Sequence, residues 1–474
     1  MIHTAEPGYQ VPCERTIKKR HQMYYNSIRA NIEKELTEAK SVALSTDEWS
    51  SRVQESYLSI EIQFMNENCT LRRFTLCTEG LKDERPNAEN LALSLINTME
   101  SWNLREKTEA ILHDNARAIQ LAGQLTEVPY NLNCAAHTLQ LVVQDSLNSV
   151  KPYKSVLNKG SDIVSHFSHS NVASSILIQR QEHLNMPKRK LIQRVVTRWD
   201  SSLDMAKSLV MNKQPVSLVL NDRDVTKKKV AQSFIMKRRE WNCLEEIVKI
   251  LTPFKITTKL LCSESSPTLS LVRPLLKALK TIHLKAQLKD NLRIKKLKLA
   301  AKAAINRRFD LDTPNLTAAH FASFYDPRFK NLDHETPLMR NEIIKAVKER
   351  MEALSADSKE NNKVNNEKEN VSALSFLFPN RKNSHDVISQ LNSYINMPQI
   401  HHDSNPLEWW KNQKERFPLV FQEAQKFLGI PATSASSERT FSTAGQILRA
   451  RRSALKSENV NTLIFLAQNS HVET

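Results

Sequence analysis

No run of about 18 apolar residues occurs in the 474-residue chain, so a membrane-spanning helix is not expected. The N-terminal stretch MIHTAEPGYQVPCERTIKKR has no apolar core of the secretory kind, which predicts an intracellular protein. Cysteine is sparse, and the residues at 13, 69, 77, 134, 243 and 262 form no CxxC pair. No zinc finger can be written from them, and a disulfide framework is not expected in an intracellular chain of this size. Aromatic residues make up only 6% of the chain, and glycine nearly vanishes between 150 and 350.

Positive charge is plentiful: 68 basic against 51 acidic residues give a net charge of +17. Such an excess points to a polyanionic partner, DNA or RNA first, although a basic solvated surface would have the same composition. The excess is spread over Lys18–Arg20, Lys188–Lys190, Lys227–Lys229, Lys237–Arg239 and Lys295, Lys296 and Lys298. That spread suits a long channel better than one recognition helix, and some clusters also read as nuclear import signals. The length predicts two or three domains.

Residues 10–40 read as a helix. The period then changes to short strands at 41–47 (SVALSTD), 57–65 (YLSIEIQFM) and 70–78 (TLRRFTLCT), the antiparallel start of a sheet. A helix over 87–101, a strand at 109–113 (EAILH) and helices at 116–125 and 135–147 follow. The order β-β-β-α-β-α predicts a mixed sheet with crossover helices. From about 150 to 350 the pattern is all helical, with long helices at 241–261 and 270–288. Residues 355–370 (SADSKENNKVNNEKEN) read as a disordered linker, and order is expected to resume near Asn405. A sheet, a long helical stretch and a helical return suggest one domain split by an insertion.

Asp47 and Asp114 each follow a predicted strand, where open α/β sheets place their ligand sites. Two such carboxylates with a third acid are what Mg²⁺ or Mn²⁺ needs for two-metal phosphoryl transfer. On pattern alone, an acid after a strand is more often a cap or turn residue.

Six blocks in order carry a resemblance: STDEWSS (45–51), ILHDNARAIQLA (111–122), NCAAHTLQLVV (133–143), VTRWDSS (196–202), SFYDPRFKNL (323–332) and the long segment from NPLEWW to NTLIFL (405–466). They resemble the hAT superfamily of transposases and the zinc-finger BED domain-containing proteins derived from them, with the last block similar to the hAT C-terminal dimerisation region. The resemblance implies an RNase H-like mixed-sheet core interrupted by an all-helical insertion. It divides the chain into an N-terminal helical segment (1–40), the first part of the core (41–150), the insertion (151–354), a largely disordered linker (355–404) and the dimerisation region completing the core (405–474).

Carried over residue by residue, the resemblance implies a DDE triad of Asp47, Asp114 and Glu438, which would hold Mg²⁺ or Mn²⁺ if the protein is catalytic. It puts Arg198 and Trp199 near flanking DNA, with Trp199 suited to stacking on an extruded base, or else packed as a core aromatic. His137, three residues after Cys134, would touch phosphate or a catalytic acid; a buried, satisfied histidine is the alternative. Arg449, Arg451, Arg452 and Lys456 would contact phosphates. Trp409, Trp410, Phe417, Phe421 and Phe427 would anchor a dimer interface, or pack within the chain, or both.

The family often carries a BED finger ahead of the core, and no CxxC precedes the sheet here. The reading that follows is a nuclear, DNA-binding, dimerising (or higher oligomeric) transposase-like protein, host-recruited as a regulator of transcription or chromatin. The alternatives are an active DDE transposase performing metal-dependent cleavage and strand transfer, and a protein-interaction scaffold whose charge is incidental. No membrane partner is expected.

Overall fold

The computed structural model describes residues 12–50, 56–81, 87–195, 199–311, 313–362, 387–447 and 457–472. It is a mixed α/β protein in two compact units. The first is assembled from three stretches, Met1–Cys134, Leu261–Arg273 and Asn315–Thr474, and the second from Ala135–Leu260 and Pro274–Pro314.

The first unit opens with helix α1 (Glu14–Glu38) and the strands β1 (Val42–Ser50), β2 (Ser56–Met65) and β3 (Leu71–Leu81). Helix α2 (Ala88–Ser101), β4 (Thr108–His113), α3 (Arg117–Leu125) and β5 (Tyr130–Asn133) follow. The sheet order is β3-β2-β1-β4-β5. β1, β2 and β3 pair antiparallel, whereas β4 and β5 run parallel to β1. β5 escapes the sequence pattern because YNLN is four residues long and half exposed, with no apolar period.

One face of the sheet is apolar. Val42 and Leu44 on β1 and Leu58, Ile60, Ile62 and Phe64 on β2 alternate, as strand residues must to share a face. They pack with Ile28, Ile32 and Leu36 of α1, Leu91, Leu95 and Met99 of α2, and Ile119 of α3. Full burial of each such side chain contributes about 1.5–3 kcal/mol. The opposite face is polar although buried: Ser45, Ser59, Glu61, Gln63 and Thr75 are all covered. The C-terminal stretch covers it with α17 (Pro418–Leu428) and α18 (Ala435–Ile447), while α19 (Ser457–Gln468) lies along β3; α13 (Ala318–Tyr325), α14 (Pro337–Asn362), α15 (Val387–Asn396) and α16 (Pro406–Gln413) precede them. The Gln63 side chain donates to the Gly429 carbonyl at 3.0 Å, tying α17 to β2.

The second unit is helical: α4 (Ala135–Asn148), α5 (Lys151–His169), α6 (Asn171–His183), α7 (Trp199–Met211), α8 (Lys213–Asn221), α9 (Lys228–Phe234), most of α10 (Arg238–Leu261) and α12 (Leu292–Arg308). Tyr153 donates to Glu246 at 2.7 Å, and the same carboxylate accepts from Asn291 and Arg293. Lys298, counted in the sequence among the basic clusters, is buried against Asp290 at 2.7 Å. Lys295 and Lys296 remain exposed.

Three sequence expectations differ from the structure. The long helix at 270–288 is broken into a 3-10 turn (Leu269–Leu271), α11 (Val272–Ala278) and a π turn (Leu279–His283). Pro274 sits in the first turn of α11, where no backbone donor is required. The 355–404 linker is helical in two parts: α14 runs to Asn362, and α15 buries Val387, Leu391 and Tyr394, with turns and irregular chain over 397–404. Residues 363–386 lie outside the described residues. The compact units also divide the chain at 134 and 314, whereas the sequence expectation placed the insertion between 151 and 354.

Candidate active site

Parallel pairing of β1 with β4 runs Ala43↔Ala110, Leu44↔Ile111 and Ser45↔Leu112. Asp47 and Asp114 each lie two residues beyond the last parallel pair, Ser45↔Leu112. Asp47 is not at the strand end, as its sequence context suggested. β1 continues to Ser50 in its antiparallel ladder with β2, where Asp47 faces Ser59. It is the parallel ladder that has stopped, and this opens the gap into which both acids face.

Asp47 and Asp114 line one cavity of about 170 Å³, with Glu48 beside them and Leu58, Leu91 and Ile119 as an apolar floor. Asp47 Oδ1 accepts from the Glu48 amide at 3.0 Å, and Asp114 Oδ1 from the Ala116 amide at 2.9 Å. The second bond fixes the turn that leads into α3. Glu48 is a third carboxylate that the sequence reading passed over, although it directly follows Asp47. Its carboxyl is held above the usual range, first by lost hydration and then by the charge of Asp114.

His113 braces this turn from below. It is buried, with Nδ1 2.6 Å from the Asp114 carbonyl oxygen and Nε2 2.7 Å from Asn131 Oδ1. The Asn131 amide nitrogen donates onward to the Gln120 carbonyl at 2.9 Å. Gly123 leaves room for this brace: a Cβ there would lie 2.2 Å from Asn131 Oδ1.

Glu438 stands exposed in the first turn of α18, where the helix dipole favours an acid. α18 packs on β1 and β2, over the polar face that carries Asp47. Thr440 donates a short hydrogen bond to the buried Glu61, and Phe441 lies 5.6 Å from Trp49. At the start of the segment, the Ser434 amide donates to Cys134 Sγ at 3.4 Å. Among the described residues, no three His, Cys, Asp or Glu side chains form a ready-made metal-holding group. The donor chemistry nevertheless suits a hard divalent cation: the cavity offers carboxylate oxygens, and no thiolate or imidazole lines it.

Residues 45–135 match the ZBED1 RNase-like domain, residues 132–250 the ZBED1 RNase-like helical domain, and residues 390–470 the hAT family C-terminal dimerisation region. Together the three tile most of the chain in order. The chain is a hAT transposase-like protein. It is 22% identical to human zinc finger BED domain-containing protein 4 over 94% of this chain and 39% of that protein. With a Zea mays protein named for the AC transposase it shares 22% identity over 98% of this chain and 61% of that protein. The Hobo transposase of Drosophila melanogaster is 22% identical over 87% of this chain and 67% of its own length. The chain thus spans 39–61% of the first two relatives.

Other residues singled out in this hAT transposase-like chain fall in varied places. Trp199 is 5% exposed within the second unit, which matches the core-aromatic alternative of the expectation. His137 is half-buried on α4. Arg198, Arg449, Arg451, Arg452 and Lys456 lie outside the described residues. The C-terminal aromatics follow the alternative of packing within the chain. Trp410, Phe417, Phe421 and Phe427 are buried within the chain, and Trp409 is half-buried. Trp410 donates to the Tyr325 carbonyl at 2.9 Å and stacks on Tyr394, with ring centres 5.5 Å apart. They pack inward because α13, α15 and α17 bring their own aromatics to the same core. The dimerisation region as a family feature stands; these side chains are not its exposed face.

Proposed function

We propose that this transposase-derived protein is a nuclear DNA-binding protein that self-associates through its C-terminal region and acts as a regulator of transcription or chromatin. The observation that carries this reading is the exposure of its basic clusters. Lys18–Arg20, Lys188–Lys190, Lys227–Lys229, Lys237–Arg239 and the Lys295–Lys296 pair all face solvent, in a chain of net charge +17. Exposed lysines and arginines displace the counterions condensed on DNA, which gives affinity without base contacts. No described helix is long and apolar enough to cross a membrane.

The sheet order β3-β2-β1-β4-β5, with three antiparallel strands followed by two parallel ones, supports an RNase H-like core. On that core a second reading, metal-dependent DNA cleavage and strand transfer, is favoured by one specific observation: Asp47 and Asp114 share a cavity. Asp47, Asp114 and Glu438 would hold Mg²⁺ or Mn²⁺, which when bound activates the attacking oxygen and stabilises the leaving one. The protein's part is to orient the acids: the Ala116 amide holds Asp114, the His113–Asn131 brace holds its backbone, and α18 carries Glu438.

Binding of duplex DNA to the purified chain, followed across a salt series, tests the first reading. A log–log slope of several units is expected; a flat response overturns it and leaves the scaffold reading. Supercoiled plasmid with Mn²⁺ tests the second, alongside Asp47→Asn and Glu438→Gln. Nicking by the unaltered protein and by neither variant is expected if the acids work as a metal site. Nicking by all three alike would refute it. Self-association is read from the concentration dependence of the sedimentation coefficient of the whole chain, since 405–474 contributes core side chains and cannot be deleted cleanly.

A further inference from the structure

A second and larger cavity, about 410 Å³, opens on the polar side of the sheet between β3 and α18. Two guanidinium groups meet in it. Arg73 of β3 is held in place by Gln63 Oε1, which accepts from its Nε at 3.2 Å and its Nη2 at 2.5 Å. Arg439 of α18 donates to the Cys262 carbonyl at 3.3 Å. Both then converge on one carboxylate oxygen, Oε1 of Glu264: Arg73 Nη1 at 2.6 Å, and Arg439 in a closer contact. Glu61, also in the lining, is buried and held toward its neutral form, chiefly by lost hydration. The two cations meet the surface carboxylate of Glu264, and both charges also act on the buried Glu61 carboxyl.

An oxygen gripped by two fixed guanidinium groups is the arrangement that recognises a phosphate. Here a carboxylate of the chain stands where the phosphate oxygen would sit. Glu264 and Arg439 are each about half exposed, with side-chain exposures of 49% and 51%. Ion pairs so exposed contribute little, so exchanging Glu264 for an external phosphate costs little.

We propose that Arg73 and Arg439 form a clamp for a backbone phosphate of DNA, occupied by Glu264 until DNA displaces it. The proposal rests on the DNA-binding reading above and assigns it a site. Gln63, paired with Arg73, lies four residues along β2 from Ser59, paired with Asp47. That is about 13 Å of strand, or about four nucleotides of duplex rise. The clamp thus addresses flanking backbone and not the phosphate nearest the acids, and it needs no catalysis.

The test uses the full chain and a labelled random-sequence duplex, with binding followed by anisotropy across a salt series. Glu264→Gln removes the internal competitor: about 3–10-fold tighter binding is expected, with the salt slope steeper by about one. Arg439→Gln weakens binding by a similar factor and flattens the slope by about one, and the Glu264→Gln/Arg439→Gln double variant loses the gain. Glu264→Ala repeats the first arm, and thermal melts verify that each variant is folded. Salt-sensitive binding by the unaltered chain with no tightening in either Glu264 variant overturns the clamp alone. Absence of salt-sensitive binding in the unaltered chain overturns the DNA reading itself. Inorganic phosphate titrated into Glu264→Gln covers the remaining source. Saturable binding there, with DNA affinity unmoved, assigns the clamp to a free phosphate and overturns the DNA assignment.

Discussion

Replacing Trp410 by alanine separates a core aromatic from an interface anchor. The indole is fully buried, stacks on Tyr394, lies 5.8 Å from Phe421, and donates to the Tyr325 carbonyl at 2.9 Å. Removing a large buried aromatic costs about 3–5 kcal/mol. Trp410→Phe keeps most of the ring and loses the donor, leaving a buried carbonyl short of a partner at a cost of about 1–3 kcal/mol. The unit that contains it has roughly 300 residues. At about 2.1 cal/mol/K per residue, its unfolding entropy is about 0.6 kcal/mol/K. The alanine variant should therefore melt about 5–8 °C lower and the phenylalanine variant about 2–5 °C lower. The assay is calorimetry at protein concentrations spanning a hundredfold, paired with sedimentation velocity. A core role predicts the same drop at every concentration and an unchanged association constant. A Trp410→Ala protein that falls apart into monomers while each monomer keeps its melting temperature would refute the reasoning.

Burial first, and the neighbouring Arg273 second, push His320 down to about 4, while its Nδ1 accepts from the Thr317 amide at 2.9 Å. The unfolded chain takes up this proton near pH 6.5, so stability present above 6.5 is lost as pH falls toward 4, by about 3 kcal/mol. His320→Gln should flatten the urea-measured pH dependence by about that amount; equal slopes in the two proteins would count against it. A Cβ on Gly429 would lie 2.9 Å from the Gln425 carbonyl oxygen and 3.0 Å from the Met65 amide, both backbone atoms. Gly429→Ala should cost about 1–3 kcal/mol, whereas Gly445→Ala, with nothing within 4 Å, should be neutral or gain up to about 1 kcal/mol. Guanidinium midpoints that move alike for both would refute the distinction. Asn469→Ala removes two hydrogen bonds to the Thr75 backbone and should cost about 2–4 kcal/mol. A change below about 0.5 kcal/mol in the same assay would contradict it.

The sheet was legible in the sequence as far as its strands alternate. Leu58, Ile60 and Ile62 announce an apolar face, and the polar residues that alternate with them, Ser59, Glu61 and Gln63, announce a second one. That Asp47 and Asp114 border one cavity is consistent with the expectation from the sequence, although Asp47 lies within β1 and only Asp114 follows its strand. Glu48 could not be ranked, since adjacent strand residues point to opposite faces and only the cavity shows that both acids border it. Aromatic density in 409–427 signalled importance without direction: a tryptophan looks the same whether its neighbours come from α13 or from another chain. α15 was hidden because VISQLNSYIN is one short amphipathic helix of just under three turns beside a polar tract, and only Tyr394 and its aromatic neighbours make it worth folding.

β3 is one of the two outermost strands, yet its backbone at Thr75 and Thr78 is occupied. The Asn469 side chain accepts from the Thr75 amide at 3.1 Å and donates to the Thr75 carbonyl at 2.8 Å, and the Asn461 side chain accepts from the Thr78 amide at 2.8 Å. Two side-chain amides on a helix thus copy the peptide groups of a missing sixth strand. Eight helical residues advance about 12 Å, and three strand residues about 10 Å, so the two asparagines fit β3 in one alignment and act as a vernier against slippage. They also guard the flank. At Thr75 and Thr78 these bonds take peptide groups that an added strand would need. Peeling α19 away would free those groups for pairing with another strand.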